Sequence, residues 1–350
     1  MRVKRAMARA VLVAALCAAA PYASVTASAR DFTLQDVPSL SAATPAVPKP
    51  GTILFTDHHD DEIADPKTGL IKFSDWARAR PVQKRLLSPF PGYEEPILRM
   101  TVNGVTRSYK RKLHMYVAEA RFALDRPPAA IDLARFVDLG TLKRMDPAIE
   151  HRAISPDDVV PNKDPKLSAH NPNRRWCESP TPVVCIQSRY RFEGKLPSAI
   201  MLLNKLRDSG KQIADHIAFQ SELRVVPPED IDQAAYAELT GISTPVAAAL
   251  EQNIVHVNQV MQFGKLLAVL QPAPDDANRT VVGVFVALAV ESDLFEKRKE
   301  LENVPVLRNM VPAQVLAGNS SFNTGDSISA GLPSYARNRM KALAAMLAAD

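Results

Sequence analysis

Residues 176–226 constrain the fold more than any other part of the sequence. This stretch contains two closely spaced cysteines, Cys177 and Cys185, an apolar helical pattern that starts at Pro197, and a polar–apolar alternation at residues 217–226. Because successive side chains of a strand point to opposite faces, the alternation predicts a strand with one buried face. Proline suits the first position of a helix. The stretch therefore predicts a helix flanked by two strands, which indicates a fold nucleus rather than a reaction.

Residues 1–29 have the pattern of a secretory signal peptide. Basic residues precede an apolar segment at residues 10–20 that is too short to span a bilayer, and Ala27-Ser28-Ala29 fits a cleavage site. Cleavage after Ala23 and retention as an uncleaved anchor are the alternatives. Cys17 lies within the apolar segment and follows Leu16 instead of a small residue, so we expect removal of Cys17 rather than lipidation. The pattern predicts a periplasmic or secreted protein.

The net charge of +5 belongs mostly to this predicted signal. Four basic residues would be removed with the signal, namely Arg2, Lys4, Arg5 and Arg9. The remaining chain would then be nearly neutral. A nearly neutral chain gives no general reason to expect nucleic acid as a partner. No later apolar run reaches the length of a membrane span, so we expect no transmembrane segment after the signal.

The remaining sequence divides by composition into four regions. Residues 30–50 are small and polar and predict a flexible leader, because they bury too little apolar surface to offset their ordering entropy. Residues 51–146 predict a β-rich region with one or two helices. Residues 147–175 are rich in proline and predict an irregular connection. Residues 176–350 predict an α+β domain, which is either separate or forms one domain with residues 51–146.

These elements together predict an α+β fold. Strands grouped near one another favour a mostly antiparallel sheet, with helices packed on one face. Long proline-rich connections and a C-terminal alanine-rich helix at residues 333–349 complete the prediction.

Cys177 and Cys185 predict a disulfide bond. An exported chain meets an oxidising compartment, where two nearby cysteines pair. A redox pair would have two intervening residues, whereas seven separate these cysteines. A zinc site would need two further soft ligands, and only His170 lies near.

The densest group of potential metal ligands lies at residues 57–62 and includes Asp57, His58, His59 and Asp60. Imidazole and carboxylate groups together suit zinc, manganese or iron. Adjacent residues of a strand point to opposite faces, so one ion would require a turn here. A solvated acidic turn is the alternative interpretation, and we expect no cofactor.

Asn103-Gly104 predicts a type I′ hairpin turn between two short strands. Its strands carry a basic patch that would suit an anionic partner: Arg99, Arg107, Lys110 and Arg111. A solvated strand face is the alternative, because edge strands often carry cations that prevent aggregation.

A polar row formed by His256, Asn258 and Gln262 is predicted on one face of a single strand at residues 255–263. Such a row would line a ligand pocket or simply face solvent. His256 could act as a general base, but no nucleophile is indicated for it.

Common catalytic signatures are missing from the sequence. Gly318 and Gly325 begin serine-containing segments that lack the closing glycine of a nucleophile elbow, and Ser209-Gly210-Lys211 lacks the first glycine of a P-loop. We therefore favour a non-catalytic exported protein that binds an apolar or amphipathic ligand, or a component of the cell envelope. The alternative is a hydrolase, metal-dependent or not, that uses His58 and His59 or His256.

Overall fold

The protein is built around one large, mostly antiparallel sheet. The computed structural model describes residues 32–40, 47–57, 62–65, 69–102, 104–110, 112–145, 149–163, 175–178, 183–191, 216–258, 261–291 and 328–349. Within these residues the strands are β1 Thr33–Asp36, β2 Thr52–Thr56, β3 Ile71–Lys72, β4 Ile97–Val102, β5 Val105–Lys110, β6 Leu113–Leu124, β7 Glu150–Ala153, β8 Val183–Arg191, β9 His216–Val226, β10 Ala248–Val257, β11 Met261–Pro272 and β12 Thr280–Glu291. The α-helices there are α1 Phe73–Ala79, α2 Pro81–Leu87, α3 Leu139–Met145, α4 Val160–Lys163, α5 Gln233–Thr240 and α6 Ile328–Ala348.

Strands from both halves of the chain share the large sheet. Its order is β1-β2-β6-β12-β11-β10-β9-β8-β7, with β3 paired to β6 beside β2. The centre consists of β6, β12, β11, β10 and β9, each antiparallel to its neighbour. β1 and β2 are parallel. The predicted mostly antiparallel sheet is therefore confirmed, as is the C-terminal helix, α6.

The central strand β12 is buried along its whole length. Alternate residues such as Val284 and Val286 pack with α6, whereas Phe285 and Ala287 pack with α1, α2 and α5. We call these two sides of the sheet the α6 face and the α1 face. Packing of the helices on one face is not confirmed, because both faces of the sheet are apolar and each is covered by helices.

Two predicted irregular regions contain regular structure. The leader predicted at residues 30–50 includes β1, which pairs with β2, and Phe32 packs edge-on against Phe122. The connection predicted at residues 147–175 includes β7 and α4. Pro156 begins a 3-10 turn at a position where no backbone donor is needed.

The hairpin predicted around residues 103 and 104 is confirmed. β4 and β5 form a separate two-stranded sheet in which Val102 pairs with Val105. Gly104 has a φ of 76°, a left-handed conformation that glycine adopts without steric cost. The helix predicted from residue 197 and the signal at residues 1–29 lie outside the described residues.

Candidate ligand-binding site

The predicted disulfide between Cys177 and Cys185 is confirmed, with 5.9 Å between the Cα atoms. It ties the segment at residues 175–178 to β8. The backbone N–H of Cys177 donates a 3.0 Å hydrogen bond to Oε2 of Glu222 on β9. Asn162 binds the backbone of Trp176 at both its N–H and its carbonyl. The disulfide segment therefore lies against the α1 face at β8 and β9.

The predicted polar row does not lie on one strand. β10 ends at Val257 and β11 begins at Met261. Asn258 accepts from the N–H of Ala218 and donates to the carbonyl of His216, so its amide holds the start of β9. Gln262 donates to the buried carboxylate of Glu291. His256 lies opposite Gln220 in the register of β9 and β10.

The predicted metal ligands fall mostly outside the described residues. Asp57 is described, whereas His58, His59 and Asp60 are not. Burial raises the pKa of Tyr116 well above its usual value, and the negative charge of Asp57 raises it further. Elsewhere in the described part of the chain, no three side chains of the histidine, cysteine, aspartate and glutamate type lie together as metal ligands.

The predicted basic patch is described only in part. Lys110 is exposed, and its Nζ lies 3.4 Å from a carboxylate oxygen of Glu95 and 3.9 Å from one of Glu94. The structure describes the backbone of Arg99 and Arg107 but not their side chains, and Arg111 lies outside the described residues. Next to Lys110, Ile97 is exposed over 60% of its surface.

An apolar cavity of about 50 Å³ lies between α6 and the sheet. Its floor on the α6 face is formed by Leu223, Leu250, Gln252, Leu266, Ala268 and Val284. Its side is formed by Phe136, Leu142 and Met145, and its cover by Arg339, Met340 and Leu343 of α6. The lining of this cavity is almost wholly apolar.

The periodicity of each strand and helix explains which of its residues line the cavity. Leu266 and Ala268 are two residues apart on β11, and Leu250 and Gln252 are two residues apart on β10, so all four project to one face. Met340 and Leu343 are three residues apart on α6 and project from one side of the helix. Ala268 contributes only a methyl group to the floor of the cavity.

Hydrogen bonds and an ion pair hold α6 over the cavity. Arg126 donates to the carbonyl of Leu347, and Arg135 donates to that of Met346 at 2.7 Å. These carbonyls lie in the last turn of α6, where no intrahelical donor follows. Near the middle of the helix, Arg337 lies 2.7 Å from Asp36 on β1 and stacks over the ring of Phe55.

Gln252, one of the lining residues, takes part in two side-chain hydrogen bonds. Gln252 donates from Nε2 to the hydroxyl of Ser221 at 3.0 Å. Its Oε1 then accepts from Nη2 of Arg339 at 3.4 Å. Arg339 is the only charged residue among those that line the cavity. The surface that faces the cavity is nevertheless almost wholly apolar.

Sequence reasoning missed the cavity and also missed a buried charged cluster on the opposite face. There, Glu251 accepts hydrogen bonds from Lys265 and Arg224. Burial alone would raise the pKa of Glu251, but the two cations and their hydrogen bonds lower it to about 2. Asn253 donates to Glu251 and Glu222. The available sequence signal was the presence of two charged residues, Glu251 and Lys265, within the long and mostly apolar strands β10 and β11.

The edge strands carry a buried histidine–serine pair that sequence reasoning also missed. Nδ1 of His151 on β7 lies 2.8 Å from the hydroxyl of Ser188 on β8. Burial lowers the pKa of His151, and the positive charge of Lys143 lowers it further. Ser188 is 0% exposed. A nucleophile needs access to its substrate, so we interpret the pair as structural.

A scan against protein-family models and a search of curated proteins returned no match for this chain. In the described part of the chain, no helix combines the length and the apolar character needed to cross a membrane.

Proposed function

We propose that this protein is an exported, non-catalytic binding protein for a small apolar or amphipathic ligand, which occupies the cavity between α6 and the sheet. One observation carries the proposal: an apolar cavity that lies on the sheet and is covered by α6. The signal pattern at residues 1–29 and the disulfide between Cys177 and Cys185 support export.

The size of the cavity limits the group that it accepts. Its volume of about 50 Å³ is roughly a third of the ~150 Å³ engineered apolar cavity that takes up benzene. The enclosed part of the ligand is therefore smaller than a benzene ring. Each methylene group that leaves water for this space contributes about 0.8 kcal/mol to binding. A ligand with a longer chain would keep the rest of that chain outside the cavity or displace α6.

A cavity-filling variant tests the proposal. Ala268→Leu adds three carbon atoms to the floor, and Ala342→Leu adds the same atoms to α6 outside the lining. We expect n-butanol to bind the natural protein and Ala342→Leu, and not Ala268→Leu, in NMR titrations of the methyl groups of Leu250 and Met340. Equal titration of all three proteins would show that the alcohol binds elsewhere. No shift in the natural protein would show that the cavity is only a packing void.

Mass spectrometry tests the occupant carried by the natural protein. Protein purified from the exported fraction is extracted with organic solvent, and the extract is compared with that of Ala268→Leu. We expect an apolar or amphipathic compound in the first extract that is depleted from the second. Identical extracts would contradict the proposal.

A further inference from the structure

We infer that mild acid opens one side of the cavity, because protonation of His151 at the edge of the sheet loosens α3, the helix that forms that side. This inference concerns the regulation of the same site, so the exchange of a ligand through the opening rests on the proposed function. Three observations carry it: the burial of His151, its position beside α3, and the contribution of α3 to the lining of the cavity.

His151 is a buried side chain with one unsatisfied ring nitrogen. It is 7% exposed on β7, and its Nδ1 lies 2.8 Å from the hydroxyl of Ser188 on β8. Its Nε2 is buried and has no hydrogen-bond partner among the described residues. A protonated imidazole carries a hydrogen on both nitrogens. Nδ1 would then donate to Ser188, but the charged Nε2–H would have no acceptor, so the protonated ring is unfavourable in this position.

The charges around His151 also oppose its protonation. The described elements that pack most extensively against β7 are β8 and α3. Burial lowers the pKa of His151, and the positive charge of Lys143 on α3 lowers it further. Arg144, the other charged residue of α3, donates to Thr141 within the helix. The charged residues directly next to the His151–Ser188 pair along the two strands project to the opposite face of the sheet: Glu150, Arg152 and Arg189.

α3 connects this pair to the cavity. The helix packs against β7, which follows it in the sequence, and its residues Leu142 and Met145 line the cavity. Lys143 lies between them in the sequence. A movement of α3 that separates Lys143 from a protonated His151 would therefore also move both lining side chains.

Both elements are suited to local opening. β7 has four residues and forms the edge of the large sheet, and α3 has seven residues, too few for a helix that is stable without tertiary packing. Short elements at an edge open locally at a lower cost than global unfolding. In the open form the imidazolium of His151 reaches water. Acid therefore raises the population of the open form while the rest of the sheet stays folded.

Hydrogen exchange at pH 7.5 and pH 5.5 tests the loosening of α3. We expect the protection factors of the amides at residues 142–145, corrected for the intrinsic effect of pH, to be about threefold to tenfold lower at pH 5.5, which lies about one unit below the ordinary histidine pKa of 6.5. His151→Asn should abolish this pH dependence, because an amide can bond to Ser188 and does not titrate. Lys143→Met should reduce it.

Arg144→Met is the matched control. It removes a cation from the same helix, but this cation bonds to Thr141, so the pH dependence should not change. Circular dichroism of each variant verifies folding. Lys143 is exposed, so Lys143→Met supplies the comparison if His151→Asn does not fold.

The exchange of n-butanol tests the effect on the cavity. This alcohol does not titrate in the range, so a change in its exchange rate reports on the protein. We expect NMR line shapes to give a dissociation rate about threefold to tenfold higher at pH 5.5 than at pH 7.5 in the natural protein, because the ligand leaves through the open form. In His151→Asn the two rates should be equal.

The outcomes separate this inference from the proposed function. Unchanged protection of α3 in acid, or an equal loss of protection in His151→Asn, would overturn the inference. Loosening of α3 with an unchanged dissociation rate would also overturn it, because α3 would not control the cavity. If α3 loosens through His151 and n-butanol binds at neither pH, the acid response of α3 is supported and the proposed function fails.

Discussion

Lys265 donates a hydrogen bond from Nζ to Oε2 of Glu251 between the neighbouring strands β11 and β10, where each residue is 5% exposed. The other carboxylate oxygen accepts from Arg224. The single carboxylate of Glu251 therefore pairs with two cations inside the α1 face. Removal of one member of such a group leaves a buried charge without compensation, which costs more free energy than the pair itself contributes.

Glu251→Leu should lower the free energy of unfolding by about 3–5 kcal/mol, because Lys265 then remains charged and buried. The double variant Glu251→Leu with Lys265→Met should recover much of this loss. Urea denaturation measures both. Asp75→Ala, which removes an exposed ion pair with Arg78, is the control and should cost less than about 1 kcal/mol. A double variant no more stable than the single one would contradict the interpretation.

The same carboxylate makes stability depend on pH. The pKa of Glu251 is about 2 in the folded protein, against an ordinary value of 4.5. The unfolded chain therefore takes up the proton first as pH falls. The contribution of the ionised Glu251 carboxylate to the stability of the fold is complete above pH 4.5 and is lost as pH falls towards 2. The difference in unfolding free energy between the natural protein and Glu251→Gln should shrink over this window. A constant difference would be inconsistent with the low pKa.

His151 should destabilise the fold in mild acid. Burial and the charge of Lys143 hold its pKa below 6.5 in the folded protein, so the unfolded chain binds the proton more readily. Stability is therefore lost as pH falls through 6.5. Melting temperatures between about pH 8 and pH 5.5 should fall more for the natural protein than for His151→Gln. Lys143→Met should reduce the fall, and parallel curves for all three proteins would refute this assignment.

Reduction of the disulfide should lower the free energy of unfolding by about 2–3 kcal/mol, because the bond closes a short loop in the unfolded chain. Denaturant titration with and without a dithiol measures the loss. A protein with both Cys177→Ser and Cys185→Ser substitutions should show the lower stability under either condition. If the reductant also destabilises this double variant, then the reductant does not act through the disulfide.

Arg135 should stabilise the end of α6 that covers the cavity. Its guanidinium donates to the carbonyl of Met346, so Arg135→Met should leave a carbonyl of the last turn without its donor and cost about 1 kcal/mol. Hydrogen exchange of the amides at residues 343–348 should accelerate. Arg144→Met removes a guanidinium that bonds to Thr141 on α3 and should leave these amides unchanged. Equal acceleration of hydrogen exchange in both variants would show that Arg135 does not specifically stabilise the last turn of α6.

Local features were predictable because their chemistry lies within a few residues. Asn103-Gly104 specifies a hairpin, since Gly104 adopts the left-handed conformation that the turn requires. Gly241 ends α5 for the same reason, with a φ of 65°. The short separation of Cys177 and Cys185 similarly predicted their bond. The valine-rich run at residues 281–290 lies in β12, and its lack of polar–apolar alternation is the sequence signal for a strand that is covered on both faces.

Tertiary structure alone decided the sheet order, the cavity and the charged cluster. β3 pairs with β6 rather than with β2, and β6 reaches β12 across more than 150 residues of sequence. Glu251 meets Lys265, and Ala268 lies beneath Met340, only because of the register of the strands and the position of α6. Sequence periodicity shows which residues of a strand share a face. It does not show which distant strand lies beside it, and that pairing determines both the buried charges and the space left for a ligand.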